Sequence, residues 1–406
     1  MRCGLLGNKL SHSYSPQIHG YLASYSYDLF ERNKEELESF LRTGNFDGLN
    51  VTIPYKKAVL PYCDELSERA LQLGAVNTIV RRLDGTLIGH NSDYFGFLSM
   101  VENCGLQMFH KKVLVLGSGG ASATVAAVLQ DLQANVIIIS RSGENNYNNL
   151  HKHMDAAVIV NTTPVGMYPN NGASPIDLDY FPDLECVLDV IYNPARTQLL
   201  MDAAAKGIKT ENGLLMLVAQ AKESAEWFTG SKISNEKIIE IHNQLSKQME
   251  NIILIGMPGC GKTTIGQMLA KYLDHKFVDS DDEIVRVTGM SIPEIFEKYG
   301  ESGFRKFEGM ILQKLCKESG LVIATGGGCV TQNSNYDILH QNGRIIWIKR
   351  DISLLPTVGR PLSQANKLEV MYSVRKSMYE SFADYSIYNN QTLDFALNQI
   401  LTKENM

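Results

Sequence analysis

Short runs of β-branched and aliphatic residues recur along the chain and alternate with segments that have the spacing of amphipathic helices. Four such runs follow one another at 113–116, 136–139, 158–160 and 187–190. Compact apolar runs separated by helical segments predict a parallel, doubly wound sheet. Residues 75–91 instead predict an antiparallel hairpin, because two strand-like runs flank an Asp-Gly turn. The order of elements therefore predicts an α/β protein.

The pattern divides the chain into three predicted domains, at residues 1–92, 93–212 and 250–406. Helices predicted over 213–248 are expected to complete the first domain. The stretch 246–250 is short and polar, which predicts a brief linker before the last domain.

Composition narrows the class of protein. The 406 residues are 44% hydrophobic and 20% charged, with a net charge of -6 and no Lys/Arg-rich run. Nucleic acid and anionic membranes are therefore not expected as partners. The seven cysteines form no C-x-x-C pair, which favours free thiols in a reducing compartment over a zinc site. No segment resembles a signal peptide or a membrane span, so we expect a soluble cytoplasmic protein without an obligatory protein partner.

A phosphate-binding motif opens the last predicted domain. Gly256 to Thr263 read G-x-x-x-x-G-K-T, directly after the apolar run 252–255 and before a predicted helix. The glycines let backbone N–H groups point at phosphates, the Lys reaches the β- and γ-phosphates, and the Thr hydroxyl helps to bind Mg²⁺. The predicted nucleotide-binding residues are Met257, Pro258, Gly259, Cys260, Gly261, Lys262, Thr263 and Thr264.

Further polar motifs follow in a fixed order. They are D-x-D at 279–281, Phe-Arg at 304–305, three glycines at 326–328, R-P-L from Arg360 and R-x-x-x-Y from Arg375. Carboxylates at i and i+2 leave a strand on the same side. Consecutive glycines let a ligand lie against backbone, and Arg suits phosphate or carboxylate. Taken singly, each motif is equally compatible with a solvated turn or a surface arginine.

Together these motifs make residues 251–406 resemble shikimate kinase. The resemblance implies that Lys262 and Thr263 bind ATP and Mg²⁺, that Asp279 binds the metal, and that Arg360 lies on a lid over the nucleotide. It also implies that Asp281 orients the accepting hydroxyl of shikimate as the catalytic carboxylate. The implied shikimate contacts are Asp281, Arg305, Gly326, Gly327, Gly328 and Arg375.

A second, different glycine loop opens the middle domain. Gly117-Ser-Gly-Gly-Ala121 departs from G-x-G-x-x-G, but it lies between a predicted strand and a predicted helix, as a dinucleotide loop does. The next strand ends at Ser140-Arg-Ser142, where sites for NAD usually carry an acid. A cation with two hydroxyls favours the 2′-phosphate of NADP(H), although an exposed Arg at a strand end is the alternative. The predicted cofactor contacts are Gly117, Gly119, Gly120, Ala121, Ser140, Arg141 and Ser142.

Lys56 and Asp93 are the candidate reactive groups of the first half. Lys56 follows a strand and a proline, and Asp93 lies at the boundary between the first two predicted domains. In a cleft, such an amine can donate a proton to a nascent alkoxide while the acid fixes its position. Their spacing alone does not pair them, and a surface lysine and a helix-capping aspartate remain alternatives.

Ordered blocks make residues 1 to about 230 resemble shikimate dehydrogenase. Among them are N-V-T-x-P-x-K at 50–56, N-x-D at 91–93, N-T-T-P-V-G-M at 161–167 and N-G-L-x-M at 212–216. The resemblance implies Lys56 and Asp93 as the catalytic pair. The implied shikimate contacts are Ser13, Ser15, Thr52, Asn77, Asn91, Asp93, Tyr192 and Gln220.

The two resemblances together predict a bifunctional enzyme of the shikimate pathway. Its first half would reduce 3-dehydroshikimate with NADPH, and its second would phosphorylate the resulting shikimate with ATP. One alternative is a regulatory protein that senses shikimate with degenerate enzyme domains. Another is a catabolic quinate/shikimate oxidoreductase that uses NAD.

Arg141 gives the cofactor prediction a direct test. The variant Arg141→Asp should weaken binding of NADPH far more than binding of NADH, because the 2′-phosphate loses a cation and meets a like charge. KM values for both cofactors, measured on the native chain and on the variant, check this. A native chain that already prefers NADH would contradict the prediction.

Overall fold

The computed structural model describes residues 1–10, 13–355 and 365–404. The strands in those residues are β1 (Arg2–Gly7), β2 (Ser26–Glu31), β3 (Gly48–Val51), β4 (Glu65–Leu66), β5 (Thr78–Arg81), β6 (Leu87–His90), β7 (Lys112–Leu116), β8 (Asn135–Ile139), β9 (Val158–Asn161), β10 (Cys186–Asp189), β11 (Lys209–Glu211), β12 (Asn251–Ile255), β13 (Lys276–Asp279), β14 (Leu321–Ala324), β15 (Gly343–Lys349) and β16 (Tyr385–Tyr388).

The α-helices in the same residues are α1 (Ser15–Leu22), α2 (Leu37–Thr43), α3 (Glu68–Leu73), α4 (Asp93–Cys104), α5 (Gly120–Asp131), α6 (Gln198–Ala205), α7 (Leu214–Thr229), α8 (Glu236–Met249), α9 (Lys262–Leu273), α10 (Ser280–Thr288), α11 (Ile292–Leu315), α12 (Asn335–His340), α13 (Ala365–Phe382) and α14 (Leu393–Glu404).

The chain divides into two compact units. The first contains the two sheets formed by β1 to β6 and by β7 to β11, and the second contains the sheet formed by β12 to β16. The first unit consists of Met1–Met167, Ala173–Tyr192 and Leu199–Leu245, and the second of Tyr168–Gly172, Asn193–Gln198 and Ser246–Met406.

The first sheet is mixed, with strand order β2-β1-β3-β5-β6-β4. β1 pairs in parallel with β2 and β3, whereas β5 is antiparallel to both β3 and β6. The predicted hairpin is confirmed as β5 and β6, and Gly85 in its turn has a φ of 89°. Because Asn50 pairs with Thr78 and Thr78 with His90, the end of β3, the start of β5 and the end of β6 lie at one edge.

The second sheet is entirely parallel, with strand order β11-β10-β9-β7-β8. Its strands are the four apolar runs of the sequence, with β11 added at one edge. Leu114, Leu116, Ile159 and Val187 are fully buried in its core. The predicted doubly wound sheet is therefore confirmed here. The loops that follow β7 and β8 both leave the sheet at the carboxyl ends of its strands, where ligands bind in such folds.

The third sheet is also parallel, with strand order β13-β14-β12-β15-β16. Its core is separate and includes Ile253, Leu254, Ile323, Ile346 and Trp347, each at most 2% exposed. The glycine loop follows β12, the D-x-D motif ends β13 and the three glycines follow β14. Since these strands are neighbours and parallel, all three motifs lie at one edge.

The stretch 246–250 is not the linker that its polarity suggested. Residues up to Met249 belong to α8, and β12 begins at Asn251. Ile238, Ile241, Leu245 and Met249 are buried at spacings of three and four residues, so one apolar stripe continues to the end of the helix. The polar residues between them lie on the other faces.

Candidate active sites

The structure brings Lys56 and Asp93 together. Lys56 lies in the loop after β3, and Asp93 is the first residue of α4, just beyond the end of β6. Lys56 Nζ donates to Asp93 Oδ2 at 2.5 Å, and the two side chains are 28% and 15% exposed. The pair is thus partly desolvated but still accessible to solvent. A lysine in this position can donate a proton to a bound oxygen while the carboxylate holds it.

Several predicted substrate contacts lie around this pair. Asn77 and Gln220 both accept hydrogen bonds from Ser92, the residue before Asp93. Ser92 N donates to Asn77 Oδ1 at 2.7 Å, and Ser92 Oγ donates to Gln220 Oε1 at 3.4 Å. Asn91 is 1% exposed and donates to Ala75 O, while its Oδ1 is buried without a partner among the described residues. An unpaired buried acceptor is costly unless a ligand satisfies it.

The remaining predicted contacts come from other elements. Ser15 begins α1 and its N donates to Ser13 Oγ at 3.2 Å. The ring of Tyr14 packs edge-on against Tyr192, with centroids 6.1 Å apart, and burial raises the pKa of Tyr192. Thr52 follows β3, where its N donates to Leu6 O. No hydrogen bond or ion pair joins Ser13, Ser15, Thr52 or Tyr192 to Lys56 or Asp93 in the described part of the chain.

The second glycine loop has the form of a dinucleotide site. Gly117 has a φ of 110°, and a Cβ there would lie 2.8 Å from Thr162 Oγ1, so only glycine fits this turn. Gly119 and Gly120 face open space at the start of α5. Backbone N–H groups at the N-terminus of a helix of this length favour phosphate. Ala121 lies in the same first turn.

The residues after β8 suit a negatively charged ligand. Ser140 forms a bridge with Asn146, and the intervening Arg141 and Ser142 are exposed. Of the residues in this loop, Arg141 carries the positive charge nearest the end of β8. Arg141 lies two residues after the end of β8, where the sequence predicts a contact with the 2′-phosphate.

The loop after β12 has the backbone of a nucleotide site. Gly256, Gly259 and Gly261 have φ values of 143°, 84° and 105°, which place successive N–H groups toward one concavity. Lys262 is 8% exposed, and its Nζ donates to Gly256 O at 2.9 Å and Met257 O at 3.1 Å. The lysine is thus held within the loop rather than extended into solvent.

Thr263 and Asp279 offer oxygen ligands side by side. Thr263 Oγ1 donates to Asp279 Oδ2 at 2.8 Å, and Asp279 Oδ1 accepts from Asp281 N at 3.0 Å. Among the described residues, no group of three or more His, Cys, Asp or Glu could bind a metal. One carboxylate and one hydroxyl nevertheless fit Mg²⁺, which usually keeps waters and takes nucleotide oxygens as its other ligands.

Two carboxylates lie beside Gly326, and Arg305, which pairs with one of them, lies beside Gly328. Asp281 Oδ1, Glu308 Oε1 and Arg305 Nε are buried without partners in the described residues. A Cβ on Gly326 would lie 2.7 Å from Glu308 Oε1 and 2.9 Å from Asp281 Oδ1. Burial, and then the charge of Asp279, raises the pKa of Asp281. Unsatisfied donors and acceptors around a bare glycine form a site for a polar ligand.

Glu308 also lies in this candidate site, although the sequence pattern around Arg305 predicted no role for it. It is fully buried, and its Oε2 accepts from Arg305 Nη1 at 2.8 Å. Burial raises the pKa of its carboxyl. Its signal in the sequence is the spacing of three residues after Arg305 on one helix face. That spacing is common on surfaces, so it did not distinguish a site residue.

Gly327 and Gly328 lie against cationic and aromatic side chains. Gly327 O accepts from Arg375 Nη1 at 3.0 Å and from Tyr379 OH at 2.5 Å. A Cβ on Gly328 would lie 2.1 Å from Arg305 Nη2. Arg375 therefore holds the glycine backbone, besides its predicted role as a ligand contact. Arg360 lies outside the described residues.

Comparisons with known proteins agree with this division into two sites. Residues 5–79 match the family model "Shikimate dehydrogenase substrate binding domain", and residues 258–404 match "Shikimate kinase". The NADP(+)-dependent shikimate dehydrogenase of Clostridium perfringens is 34% identical over 264 residues, which cover 60% of this chain and 97% of that protein.

Solved structures show the same relationship for the first half. The shikimate 5-dehydrogenase of Thermus thermophilus, in complex with NADP(H) and shikimate, is 31% identical with a TM-score of 0.55, and the match covers 60% of this chain and 99% of that one. A chorismate mutase/shikimate 5-dehydrogenase fusion protein from Clostridium acetobutylicum is 36% identical with a TM-score of 0.58, covering 61% of this chain and 97% of that one.

The chain therefore belongs to the shikimate dehydrogenase family and carries, after that part, a domain that matches the shikimate kinase family. The predicted α/β fold and the predicted pairing of these two enzymes in one bifunctional chain are confirmed. No helix among the described residues is both long and apolar enough to cross a lipid bilayer.

The close fit around Gly326 predicts the effect of one added methyl group. Gly326→Ala should lower kcat/KM for the phosphoryl acceptor by on the order of 10²-fold, because the methyl group occupies space between Glu308 and Asp281. Gly309→Ala in α11 is the matched control, since its Cβ would meet only Asn335 Oδ1 at 3.6 Å. Equal kinase rates in the two variants would contradict this description of the site.

Proposed function

We propose that this chain catalyses two consecutive reactions. The first is the NADPH-dependent reduction of 3-dehydroshikimate to shikimate, and the second is the ATP-dependent phosphorylation of shikimate to shikimate 3-phosphate. The observation that carries the proposal is that one chain holds both a Lys56–Asp93 pair at 2.5 Å and a complete phosphate loop beside Asp281. The first product is the second acceptor, which explains the presence of both in one polypeptide.

In the first reaction Lys56 acts as the proton donor. NADPH, when bound, supplies the hydride that reduces the carbonyl carbon of the substrate. Lys56 Nζ gives a proton to the carbonyl oxygen, on which negative charge develops. Asp93 holds the ammonium group in place through the hydrogen bond from Lys56 Nζ. Ser13, Ser15, Thr52, Asn77, Asn91, Tyr192 and Gln220 are proposed to hold the hydroxyl and carboxylate groups of the substrate.

The residues present also fit NADP(H). Gly117, Gly119, Gly120 and Ala121 would hold the pyrophosphate, since the open backbone at the start of α5 leaves room for it. Ser140, Arg141 and Ser142 would hold the 2′-phosphate. Arg141 supports NADP(H) over NAD, and therefore supports the biosynthetic enzyme over a quinate/shikimate oxidoreductase that uses NAD.

In the second reaction Asp281 orients the accepting hydroxyl. Its raised pKa makes it a better proton acceptor than an ordinary aspartate. Arg305, Glu308, Arg375 and the glycines at 326–328 hold the rest of shikimate, with Arg305 suited to its carboxylate. The unpaired atoms of Asp281, Arg305 and Glu308 support this assignment.

The phosphate loop neutralises the charge that develops during transfer. Met257 to Thr264, apart from Pro258, which lacks an N–H group, would surround the phosphates with backbone N–H groups. Lys262 Nζ, which donates to the loop carbonyls of Gly256 and Met257, would donate to the phosphate oxygens instead. Thr263 and Asp279 would hold Mg²⁺, which supplies further positive charge. Arg360 is proposed to contact the nucleotide from a lid. Positioning and charge account for most of the catalysis in such transfers.

The three predicted domains form part of the proposal. Residues 1–92 with 213–248 would bind shikimate, residues 93–212 would bind NADP(H), and residues 250–406 would form the kinase. We further propose a cytoplasmic enzyme that acts on small molecules without an obligatory protein partner. The seven free cysteines support a reducing compartment.

Reciprocal variants test the proposed function. Lys56→Ala should lower dehydrogenase turnover by roughly 10²–10⁴-fold through loss of general acid catalysis, with kinase turnover unchanged. Lys262→Ala should abolish phosphorylation while NADPH oxidation continues. Both rates are measured on one preparation of each variant, and each variant serves as the folding control for the other. Wild-type reduction by Lys56→Ala would refute the assignment, and a native chain inactive in both assays would favour a shikimate sensor.

A further inference from the structure

A buried serine on α7 connects four polar groups behind the dehydrogenase site. Ser224 is fully buried. Its Oγ lies 2.7 Å from Asn50 Nδ2, 2.8 Å from Thr78 Oγ1 and 2.9 Å from Ser92 Oγ. It also lies 2.9 Å from the carbonyl oxygen of Gln220, one turn earlier in the same helix. The ordinary partner of a helical serine hydroxyl is that carbonyl alone.

The hydrogen-bonding capacity of Ser224 is fully used. A hydroxyl donates once and accepts twice. When Ser224 donates to Gln220 O, it accepts from Asn50 Nδ2 and from one of the hydroxyls of Thr78 and Ser92. Thr78 and Ser92 are also fully buried, and Thr78 Oγ1 lies 3.2 Å from Ser92 Oγ. Because all three hydroxyls are buried away from solvent, each member of the network depends on the others.

Ser92 connects this network to the backbone of Asp93. It precedes Asp93 and is the N-cap residue of α4. Asn77 Oδ1 accepts from Ser92 N at 2.7 Å, and Asn77 Nδ2 donates to Ser92 Oγ at 3.0 Å. The backbone that presents Asp93 to Lys56 is therefore fixed by Asn77 and Ser92, and Ser92 in turn is held by Ser224.

Asn50 connects the network to the strand that precedes Lys56. It lies in β3, the strand that leads into the loop of Lys56. Its Oδ1 accepts from Tyr27 OH at 2.7 Å, while its Nδ2 donates to Ser224. Asn50 is 5% exposed, so both bonds are shielded from solvent. One serine thus joins the strand before Lys56 to the residue before Asp93.

We infer that Ser224 is a positioning residue of the dehydrogenase, which holds Asn50 and Ser92 so that Lys56 and Asp93 keep their mutual geometry. The inference rests on the proposed function of the first unit. Ser224 itself does not touch the Lys56–Asp93 pair. It acts through Asn77 and Gln220 as well, and both of these are proposed substrate contacts. Loss of its hydroxyl should therefore affect binding of 3-dehydroshikimate and turnover together.

The test compares Ser224→Ala with Ser99→Ala. Ser99 lies in α4, and its hydroxyl bonds only to Phe95 O, one turn earlier, among the described residues. Ser224→Ala should lower kcat by about 10- to 100-fold, as misplaced reacting groups do, and raise KM for 3-dehydroshikimate. KM for NADPH and the kinase rate should not change, and Ser99→Ala should behave as wild type.

Comparing KM for 3-dehydroshikimate with KM for NADPH distinguishes a positioning role of Ser224 from a role in stability alone. A merely destabilised unit would show a smaller active fraction, which lowers apparent kcat and leaves both KM values unchanged. If Ser224→Ala is insoluble, Ser224→Cys replaces it, because sulfur has similar size but bonds weakly. Kinetics equal to the Ser99→Ala control in the soluble variant, or a lower kcat with both KM values unchanged, would overturn the inference.

A double-variant cycle with Ser92→Ala tests the connection itself. Residues in one network are not independent, so Ser92→Ala combined with Ser224→Ala should cost much less than the product of the two single losses. Losses that multiply would show that Ser224 does not act through Ser92. Failure of the proposed function would look different. In that case the native chain itself would not oxidise NADPH with 3-dehydroshikimate.

Discussion

Hydrogen-bonded pairing between neighbouring strands determines where the reactive groups of this chain meet. In the third sheet β13, β14 and β12 are adjacent and parallel, so the motifs that follow them leave one edge. In the first sheet two antiparallel pairings bring the ends of β3 and β6 beside the start of β5. Lys56 and Asp93, which are 37 residues apart in sequence, come into contact because of this register.

Each site then uses burial to prepare its charged groups. Lys56 and Asp93 are 28% and 15% exposed, and this partial burial suits the proton donation that is proposed for Lys56. Arg305 and Glu308 are more deeply buried, at 10% and 0% exposed, and both of them, like Asp281, keep buried atoms without partners in the described residues. Such atoms cost stability in the folded protein, and a ligand that satisfies them gains both affinity and orientation.

The sequence predicted those features that depend on a few adjacent residues. The glycine loops, the strands before them and the hairpin over 75–91 follow from local conformation, and the structure confirms these elements. No role was predicted for Glu308 because its importance depends on burial beside Gly326, which its own helix does not reveal. Ser224 was missed for the same reason, since its three side-chain partners lie 132 to 174 residues away in sequence. Polar networks of this kind depend on tertiary packing, so local pattern does not predict them.

The central claim is that one chain performs two consecutive reactions on the same carbon skeleton. The most direct measurement supplies the intact chain with 3-dehydroshikimate, NADPH, ATP and Mg²⁺, and follows NADPH oxidation, ADP formation and product mass together. The account predicts equal amounts of NADP⁺ and ADP at completion and a single product, shikimate 3-phosphate. Without NADPH no ADP should form, unless shikimate is added directly. NADPH oxidation with no ADP formed from either substrate would contradict the account.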